Sequence, residues 1–550
     1  MIPQAHASIG RGTTPRRLQA LQAACALLAA CSITVLPRPA SAQEGPDLPV
    51  IEHVLPNGMR FLVLRREGAP TVAFVTQYRV GAVQERPGET GIAHLLEHML
   101  FKGTTTIGTR DHAAELALFP RIDAVQDSIR ALRAQRAATP DTTAQRAAAS
   151  RGDASCGPAP AASPASVDPR IERLTARLEA LEDSARAFVV ANEFDRILTR
   201  NGARGLNATT SYEATTYYVE LPANRARLWF ALEADRLRNP VLREFYTERD
   251  VVAEERRMRV ESDPGGRLWE CFLATAFQVH PYGRPVVGTM EDIHNFTRRQ
   301  AEEYFRRYYG PNNAVVAVVG DVQPDSIVAW AERYLGTIPR GEDARRLEVR
   351  EPEQRGERRV TVTFDAEPQI LMGWHVPEPD HPDYPALEVL AHVLTGGNTS
   401  RLHRRLVLEE RAATVVSASL QPGGLDPQLF VIGAAPAESR TVADLERLID
   451  EEIARLQAEP PADSELERIR NQLEAGEVRR LRSNLGLAFQ LAGSASAYDG
   501  DWRATFRYTQ RLLAVEAADV QRVARTYFRP ENRTVAILVS TKERAGEEEQ

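Results

Sequence analysis

The 550-residue sequence has few cysteines and no excess of basic charge. Two of its four cysteines, Cys25 and Cys31, lie in an apolar N-terminal stretch, which leaves Cys156 and Cys271 for the rest of the chain. A structural zinc site built from several cysteines is therefore excluded, and nothing in the sequence argues for a disulfide between the remaining two. The formal net charge of −7 gives no support for nucleic-acid binding.

Beyond the N-terminal stretch the sequence has no apolar run long enough to predict a membrane-spanning helix. Residues 1–42 instead have the parts of an export signal: arginines near the start, an apolar core at 18–36 and the small-residue motif Ala40-Ser41-Ala42. We predict cleavage after Ala42 and an exported or periplasmic protein. A lipoprotein anchored at Cys31 is the alternative, because the residues before that cysteine resemble a lipoprotein box.

The motif His94-Leu95-Leu96-Glu97-His98 is the main functional signal in the sequence. His94 and His98 are four residues apart, so on a helix they share one face and can bind one metal ion together. Glu97 lies on the same side, where its carboxylate can take a proton from water at the metal. Catalytic zinc needs three protein ligands, so a third must come from elsewhere. The alternative is a helix with two hydrogen-bonded histidines and an incidental glutamate.

A second charged helix is predicted at about 241–260. Within it Glu248 and Glu255 are seven residues apart and project from the same face. Taken alone, such a run of charges is typical of a solvated helix face. The helix also offers Glu254, so the pattern itself does not choose a metal ligand.

An internal repeat indicates that the chain contains two copies of one domain. Residues 308–317 recur at 527–536, an offset of 219 residues (527 minus 308). The helix at 92–103 has a fainter copy at 386–397, an offset of 294 residues (386 minus 92). The first copy is therefore longer by 75 residues (294 minus 219) between these landmarks. In the second copy, His94 is replaced by Glu388 and Glu97 by Ala391, so that copy lacks the predicted metal site.

These observations predict an α+β fold of two duplicated α/β-sandwich domains, each an antiparallel sheet with helices. The predicted N-terminal domain spans 45–340, a linker spans 341–356, and the metal-free C-terminal domain spans 357–545. The extra length of the first copy falls at about 110–190, where heptad-like patterns flank a segment rich in Ala, Pro, Ser and Thr. We predict a coiled helical hairpin with a disordered tip there. A flexible linker is the alternative.

Four motifs in this order resemble the pitrilysin/insulinase family of inverted zinc peptidases, most closely its mitochondrial processing peptidase type and bacterial relatives. They are His94 to His98, Phe101-Lys102-Gly103-Thr104, Asn207-Ala208-Thr209, and Glu248 to Glu255. The resemblance covers most of 45–340 outside the insertion and, more loosely, 355–545.

The resemblance implies a role for each residue of the site. One Zn²⁺ per chain would be bound by His94, His98 and Glu255. The family's spacing of seven residues from the supporting carboxylate selects Glu255 as the third ligand and places Glu248 behind the site, where it orients the ligands. Glu97 would be the general base that activates water. The implied activity is that of an exported zinc endopeptidase acting on unfolded peptides or oligopeptides.

The resemblance also has implications for the substrate and for a partner. Asn207 and Ala208 would lie on an edge strand that pairs with an extended peptide. Many members carry an arginine and a tyrosine in the second domain, and the corresponding positions here are Val407 and Thr414. We therefore predict a heterodimer with a metal-free homologous subunit that carries the Arg/Tyr pair, with a homodimer as the simpler alternative. A non-catalytic peptide-binding scaffold and a peptide chaperone are the competing functions.

Overall fold

The computed structural model describes residues 48–137, 168–344 and 347–541. The predicted export signal at 1–42, its alternative at Cys31 and the predicted disordered tip of the insertion lie outside these ranges. Within them, no helix is both long enough and apolar enough to cross a membrane. Cys271 is buried and disulfide-bonded, whereas Cys156 lies outside the described residues.

The first half of the chain forms a six-stranded sheet. Its strands are β1 (Ile51–Val54), β2 (Arg60–Arg65), β3 (Thr71–Tyr78), β4 (Arg204–Thr210), β5 (Thr215–Pro222) and β6 (Ala314–Gly320). They lie in the order β1-β2-β6-β3-β5-β4, which leaves β4 at one edge. The turn between β1 and β2 contains Gly58 at φ 93°, a left-handed conformation that favours glycine.

The second half repeats this sheet without the first strand. Its strands are β7 (Arg358–Phe364), β8 (Gln369–Val376), β9 (Ala413–Gln421), β10 (Gln428–Pro436) and β11 (Arg533–Ser540), in the order β7-β11-β8-β10-β9. The predicted α+β fold of two duplicated sandwiches is confirmed. Each sheet contains one parallel pair, β2 with β6 and β7 with β11, and is otherwise antiparallel. In each half the second strand of the parallel pair, β6 or β11, follows a long connection that ends in a helix. Parallel pairing requires a connection of this kind.

Helices of the first half cover the sheet and build the insertion. They are α1 (Ile92–Met99), α2 (His112–Leu116), α3 (Phe119–Ala137), α4 (Pro169–Arg186), α5 (Glu193–Arg200), α6 (Ala226–Arg238), α7 (Phe245–Arg256), α8 (Pro264–Ala276), α9 (Met290–Asn295), α10 (Arg298–Tyr308) and α11 (Pro324–Trp330). The two predicted helices of the insertion are α3 and α4, which pack against each other.

Helices of the second half follow the same plan. They are α12 (Tyr384–Thr395), α13 (Val442–Ala458), α14 (Asp463–Arg482), α15 (Asn484–Ala497), α16 (Ala504–Leu513) and α17 (Ala517–Tyr527). The repeat found in the sequence corresponds to α10 leading into β6 and α17 leading into β11. The faint copy of the metal-motif helix is α12, which occupies in the second half the place that α1 has in the first.

Both sheets are apolar on two faces, and the two halves exchange helices to cover them. In the central strand β6, neighbours such as Val315 and Val316 point to opposite faces and are both almost fully buried. One face of the first sheet packs on α1 and its neighbours, and the other packs on α15 of the second half. Reciprocally, α8 of the first half covers the second sheet. A Cβ atom at Gly373 in β8 would lie 2.5 Å from the ring of Phe272 in α8, so glycine permits this close approach.

A buried ion pair braces the loop that follows α1. The side chain of Arg243 is 1% exposed, and its Nε donates to Glu115 Oε1 at 3.0 Å. The remaining guanidinium N–H groups donate to the carbonyl oxygens of Lys102 at 2.5 Å, Thr104 at 2.6 Å and Ile107 at 3.0 Å. One side chain therefore satisfies three carbonyls and a carboxylate that are shielded from water.

We expect Arg243→Met to lower the free energy of unfolding by about 3–5 kcal/mol, because it leaves the Glu115 charge and three carbonyls without their donor. Urea denaturation measures this loss. The control is Arg238→Met, which removes an exposed arginine that also donates to a backbone carbonyl, that of Tyr334, and its cost should stay below about 1 kcal/mol. Equal losses in the two variants would contradict the role given to the brace.

Candidate metal centre

The helix that carries the histidine motif is fixed at its N-terminus. It begins after Gly91, whose φ of 95° is left-handed and where a Cβ atom would lie 2.3 Å from the carbonyl oxygen of Val287. The Glu85 carboxylate accepts hydrogen bonds from the backbone N–H groups of Gly91 at 2.8 Å and Ala93 at 3.0 Å. These contacts satisfy donors that a helix start leaves unpaired. Burial raises the pKa of Glu85 to about 8, and the hydrogen bonds from the two backbone N–H groups oppose that shift.

The structure brings together the three predicted metal ligands. His94 Nε2 lies 3.6 Å from Glu255 Oε1, and His98 Nε2 lies 3.5 Å from Glu255 Oε2. A tetrahedral zinc ion with bonds of about 2.0–2.2 Å would space its ligand atoms by about 3.3–3.6 Å. The two histidine–glutamate distances match this spacing, and one ligand atom from each of the three side chains lies within 4.8 Å of the others. Across the ranges that the structure describes, no other group of His, Cys, Asp or Glu side chains meets in this way.

The two histidines have opposite electrostatic surroundings. Burial lowers the pKa of His94 to about 4, so this ring is neutral and ready to act as a ligand at neutral pH. Burial also lowers the pKa of His98, but hydrogen bonds and charge from Glu248 and Glu255 outweigh it and raise the pKa to about 9. A metal ion that binds near neutral pH therefore has to displace a proton from His98.

Glu248 lies behind His98, as the sequence predicted. Its Oε2 is 3.5 Å from His98 Nδ1, while its Oε1 is 2.5 Å from Lys102 Nζ. Burial raises the pKa of Glu248, but the contacts with His98 and Lys102 outweigh it and lower the pKa below its usual value, so the group remains a carboxylate. A carboxylate on the second ring nitrogen of a ligating histidine fixes the ring and its tautomer.

The candidate general base is held by the edge strand. Thr210, the last residue of β4, donates a hydrogen bond of 2.5 Å from Oγ1 to Glu97 Oε2. Burial raises the pKa of Glu97, and the Thr210 hydrogen bond opposes that shift. Asn207 and Ala208 lie in the same strand, with Asn207 exposed and Ala208 buried. The sequence analysis did not give Thr210 a role, although alternation along a strand places it on the same side as Ala208.

Arg259 is a second residue that the sequence analysis missed. It follows Glu255 by one helical turn, and its Nη1 lies 2.6 Å from Glu255 Oε1, the oxygen that also faces His94. Its side chain is 69% exposed, so it marks the solvent side of the site. The i, i+4 spacing is the signal that could have identified it.

The corresponding region of the second half holds no such group. Glu388, at the position of His94, accepts a hydrogen bond from the hydroxyl of Tyr508, and His392 is half-buried. Val407 packs against the core of the second half, and Thr414 is exposed at the start of β9. The described residues thus contain one group of side chains that could hold a metal ion, in the first half.

Sequence comparisons agree with this division. Residues 60–119 and 187–290 match the family described as insulinase (peptidase family M16), and 295–473 match the peptidase M16 inactive domain. The chain is 31% identical over 379 residues to the zinc protease PqqE of Helicobacter pylori. The alignment covers 66% of this chain and 82% of that protein. The chain belongs to the M16 peptidase family. The first match breaks off between 119 and 187, where the insertion is predicted.

Other M16 relatives extend the likeness. An uncharacterized zinc protease of Mycobacterium tuberculosis is 31% identical over 327 residues, covering 58% of this chain and 73% of the relative. A probable mitochondrial-processing peptidase subunit beta of Arabidopsis thaliana is 26% identical over 337 residues. The alignment covers 59% of this chain and 62% of the relative. The metallopeptidase type is therefore shared with these relatives.

Solved structures share the fold. A protease from Helicobacter pylori aligns with a TM-score of 0.70 at 24% identity, covering 90% of this chain and all of that one. The periplasmic protease PqqL of Escherichia coli aligns with a TM-score of 0.63 at 17% identity, covering 90% of this chain but 48% of that one. The alignment therefore spans about half of PqqL.

We expect the zinc affinity of the metal-free protein to rise about tenfold per pH unit between about pH 6.5 and 8.5, because His98 must lose one proton to bind metal. The rise should level off near pH 9, the pKa of His98. The raised pKa stabilises the metal-free fold below pH 6.5, and this contribution disappears as the pH rises through about 9. Competition with a chelator measures the affinity, and a pH-independent zinc affinity would contradict the assignment.

Proposed function

We propose that the chain is an exported zinc-dependent endopeptidase that hydrolyses unfolded peptides or oligopeptides, with Glu97 as the general base. The observation that carries this proposal is the convergence of His94, His98 and Glu255 with spacings that suit zinc. Glu97 is on the same helix, and its carboxylate is hydrogen-bonded to the end of an edge strand. A bound zinc ion would lower the pKa of a water molecule to about 7 and polarise a peptide carbonyl.

The residues of the chain supply the proton transfers. The Glu97 carboxylate takes the proton of the attacking water and then delivers it to the leaving amine, so no covalent intermediate with the protein is needed. Its pKa, raised by burial, brings the group closer to the working pH than a solvated glutamate would be. The Thr210 hydroxyl holds one of its oxygens, which leaves the other for the water. Glu248 keeps the ring of His98 oriented.

The edge strand β4 favours an extended substrate. Among the described strands, β4 pairs with β5 alone, so its outer edge offers backbone N–H and C=O groups to another chain. An unfolded peptide can add there as a further strand alongside Asn207 and Ala208. Because Thr210 ends this strand and contacts Glu97, such a peptide would run past the metal ligands and present a bond to the water.

The substrate site is proposed to need a second chain. The positions expected to hold an arginine and a tyrosine are Val407, which packs into the core, and Thr414. Neither can donate the hydrogen bonds of an arginine fork to a substrate carbonyl. We propose a heterodimer with a metal-free homologous subunit that carries that pair, and a homodimer is the alternative. Export through cleavage after Ala42, or anchoring at Cys31, belongs to the same proposal.

Glu97→Gln should keep zinc and lose peptide cleavage. The amide cannot accept the proton, so kcat/KM should fall between about a hundredfold and ten-thousandfold, while zinc content measured by elemental analysis stays at one ion per chain. Glu254→Gln is the matched control, because this neighbour of Glu255 is half-exposed and pairs with Arg257 outside the site. Unchanged peptide turnover by Glu97→Gln would refute the mechanism.

The chain purified alone should cleave peptides weakly, and adding the proposed metal-free subunit should raise kcat/KM, because that subunit completes the substrate site. Light scattering gives the composition of the complex. Pairing the same subunit with the Glu97→Gln chain is the control, and this mixture should remain inactive. Full activity of the isolated chain would exclude the heterodimer and, if light scattering shows two copies, would favour the homodimer.

A further inference from the structure

Lysine is nearly absent from this chain, and the one lysine among the described residues lies beside the candidate metal centre. Of the 68 basic residues only two are lysines, Lys102 and Lys542, and Lys542 lies outside the described residues. Every other basic side chain in the described ranges is an arginine, apart from histidines. At this position the chain therefore has a compact point charge in place of a guanidinium fork.

The Lys102 ammonium group lies between two carboxylates. Its Nζ is 2.5 Å from Glu248 Oε1 and 3.3 Å from Glu244 Oε2, and all three side chains are at most a quarter exposed. The backbone of Lys102 is fixed as well, because its carbonyl oxygen accepts a hydrogen bond from buried Arg243. The Lys102 residue is therefore fixed at its backbone by Arg243 and at its ammonium group by the two carboxylates.

The two oxygens of Glu248 have different partners. Oε1 faces Lys102 Nζ, and Oε2 faces His98 Nδ1 at 3.5 Å. A single ammonium group engages one oxygen and leaves the other for the histidine. An arginine would pair with both oxygens through its parallel N–H groups and would take Oε2 from His98. This division of the carboxylate explains why the position holds lysine in a chain that otherwise uses arginine.

We propose that Lys102 is a positioning residue of the metal centre, which acts through Glu248 to fix the ring of His98 with Nε2 directed at the metal. The ammonium group keeps one oxygen of Glu248 occupied and its charge neutralised, so the other oxygen stays on His98 Nδ1. This role rests on the proposed function, since it concerns the same zinc site. Partners beyond the direct ligands contribute about tenfold to a hundredfold to metal affinity in comparable sites.

A double-mutant cycle on zinc affinity tests the role of Lys102. Zinc dissociation constants are measured by chelator competition for the full chain and for Lys102→Met, Glu248→Gln and the double variant. Each single variant should bind zinc about tenfold more weakly, and the double variant should bind no more weakly than Glu248→Gln, because Lys102 acts through that carboxylate. A further loss in the double variant, equal to the loss in Lys102→Met alone, would overturn the proposal.

Two further variants separate positioning from a structural role. Glu244→Gln removes the other partner of Lys102 and should leave zinc affinity within about twofold of the original. Lys102→Arg keeps the positive charge and should nevertheless weaken zinc binding, whereas full affinity in this variant would overturn the argument from the divided carboxylate. If Lys102→Met does not fold, Lys102→Gln takes its place in the cycle with the same expectation.

The visible spectrum of the cobalt-substituted protein gives a second readout. It should change in Lys102→Met, because the ring of His98 turns, and should stay the same in Glu244→Gln. An unchanged spectrum in Lys102→Met would count against the proposal. Zinc binding and peptide cleavage by the unaltered chain test the proposed function separately. An unaltered chain that binds no zinc overturns both, whereas additive losses in the cycle overturn only the role of Lys102.

Discussion

Each sheet of this protein is apolar on both faces, and one face of each is covered by a helix from the other half. This constraint positions the metal centre. The helix that carries Glu255, α7, continues through a π-helical turn at 257–261 into α8, the helix that leaves to cover the second sheet. The third metal ligand is thus attached to the segment that joins the halves. Burial of α8 and α15 stabilises the fold and, through that connection, keeps Glu255 opposite α1.

The charges of the site alternate in sign from one contact to the next. The series consists of a cation, an anion, an imidazole, an anion and a cation, joined by contacts of 2.5–3.5 Å: Lys102, Glu248, His98, Glu255 and Arg259. In the absence of metal this order stabilises a proton on His98 and holds both glutamates ionised. A metal ion bound here would replace that proton and would meet side chains that are already charged and oriented. Pre-organisation of this kind lowers the cost of assembling the site.

Much of this arrangement was readable in the sequence, because the decisive residues lie on local repeats. The four-residue spacing of His94 and His98, the seven-residue spacing of Glu248 and Glu255 and the repeat at 308 and 527 all follow helix or strand geometry. The contacts of Thr210 with Glu97 and of Lys102 with Glu248 span 113 and 146 residues. No local pattern encodes such pairs, since they arise only when edge strand and helices pack. The packing of α8 on the second sheet and of α15 on the first could not be predicted from the sequence for the same reason.

The exchange of α8 and α15 also explains why a copy without a metal site can persist. A substitution that removes a ligand from the second half leaves every apolar face covered, so folding is unaffected. Deleting the second half instead exposes a whole face of the first sheet to water. The candidate metal ligands therefore depend on one half, whereas the burial of both sheets depends on the two halves together. Losing the ligands from one copy is compatible with the fold, but losing one copy is not.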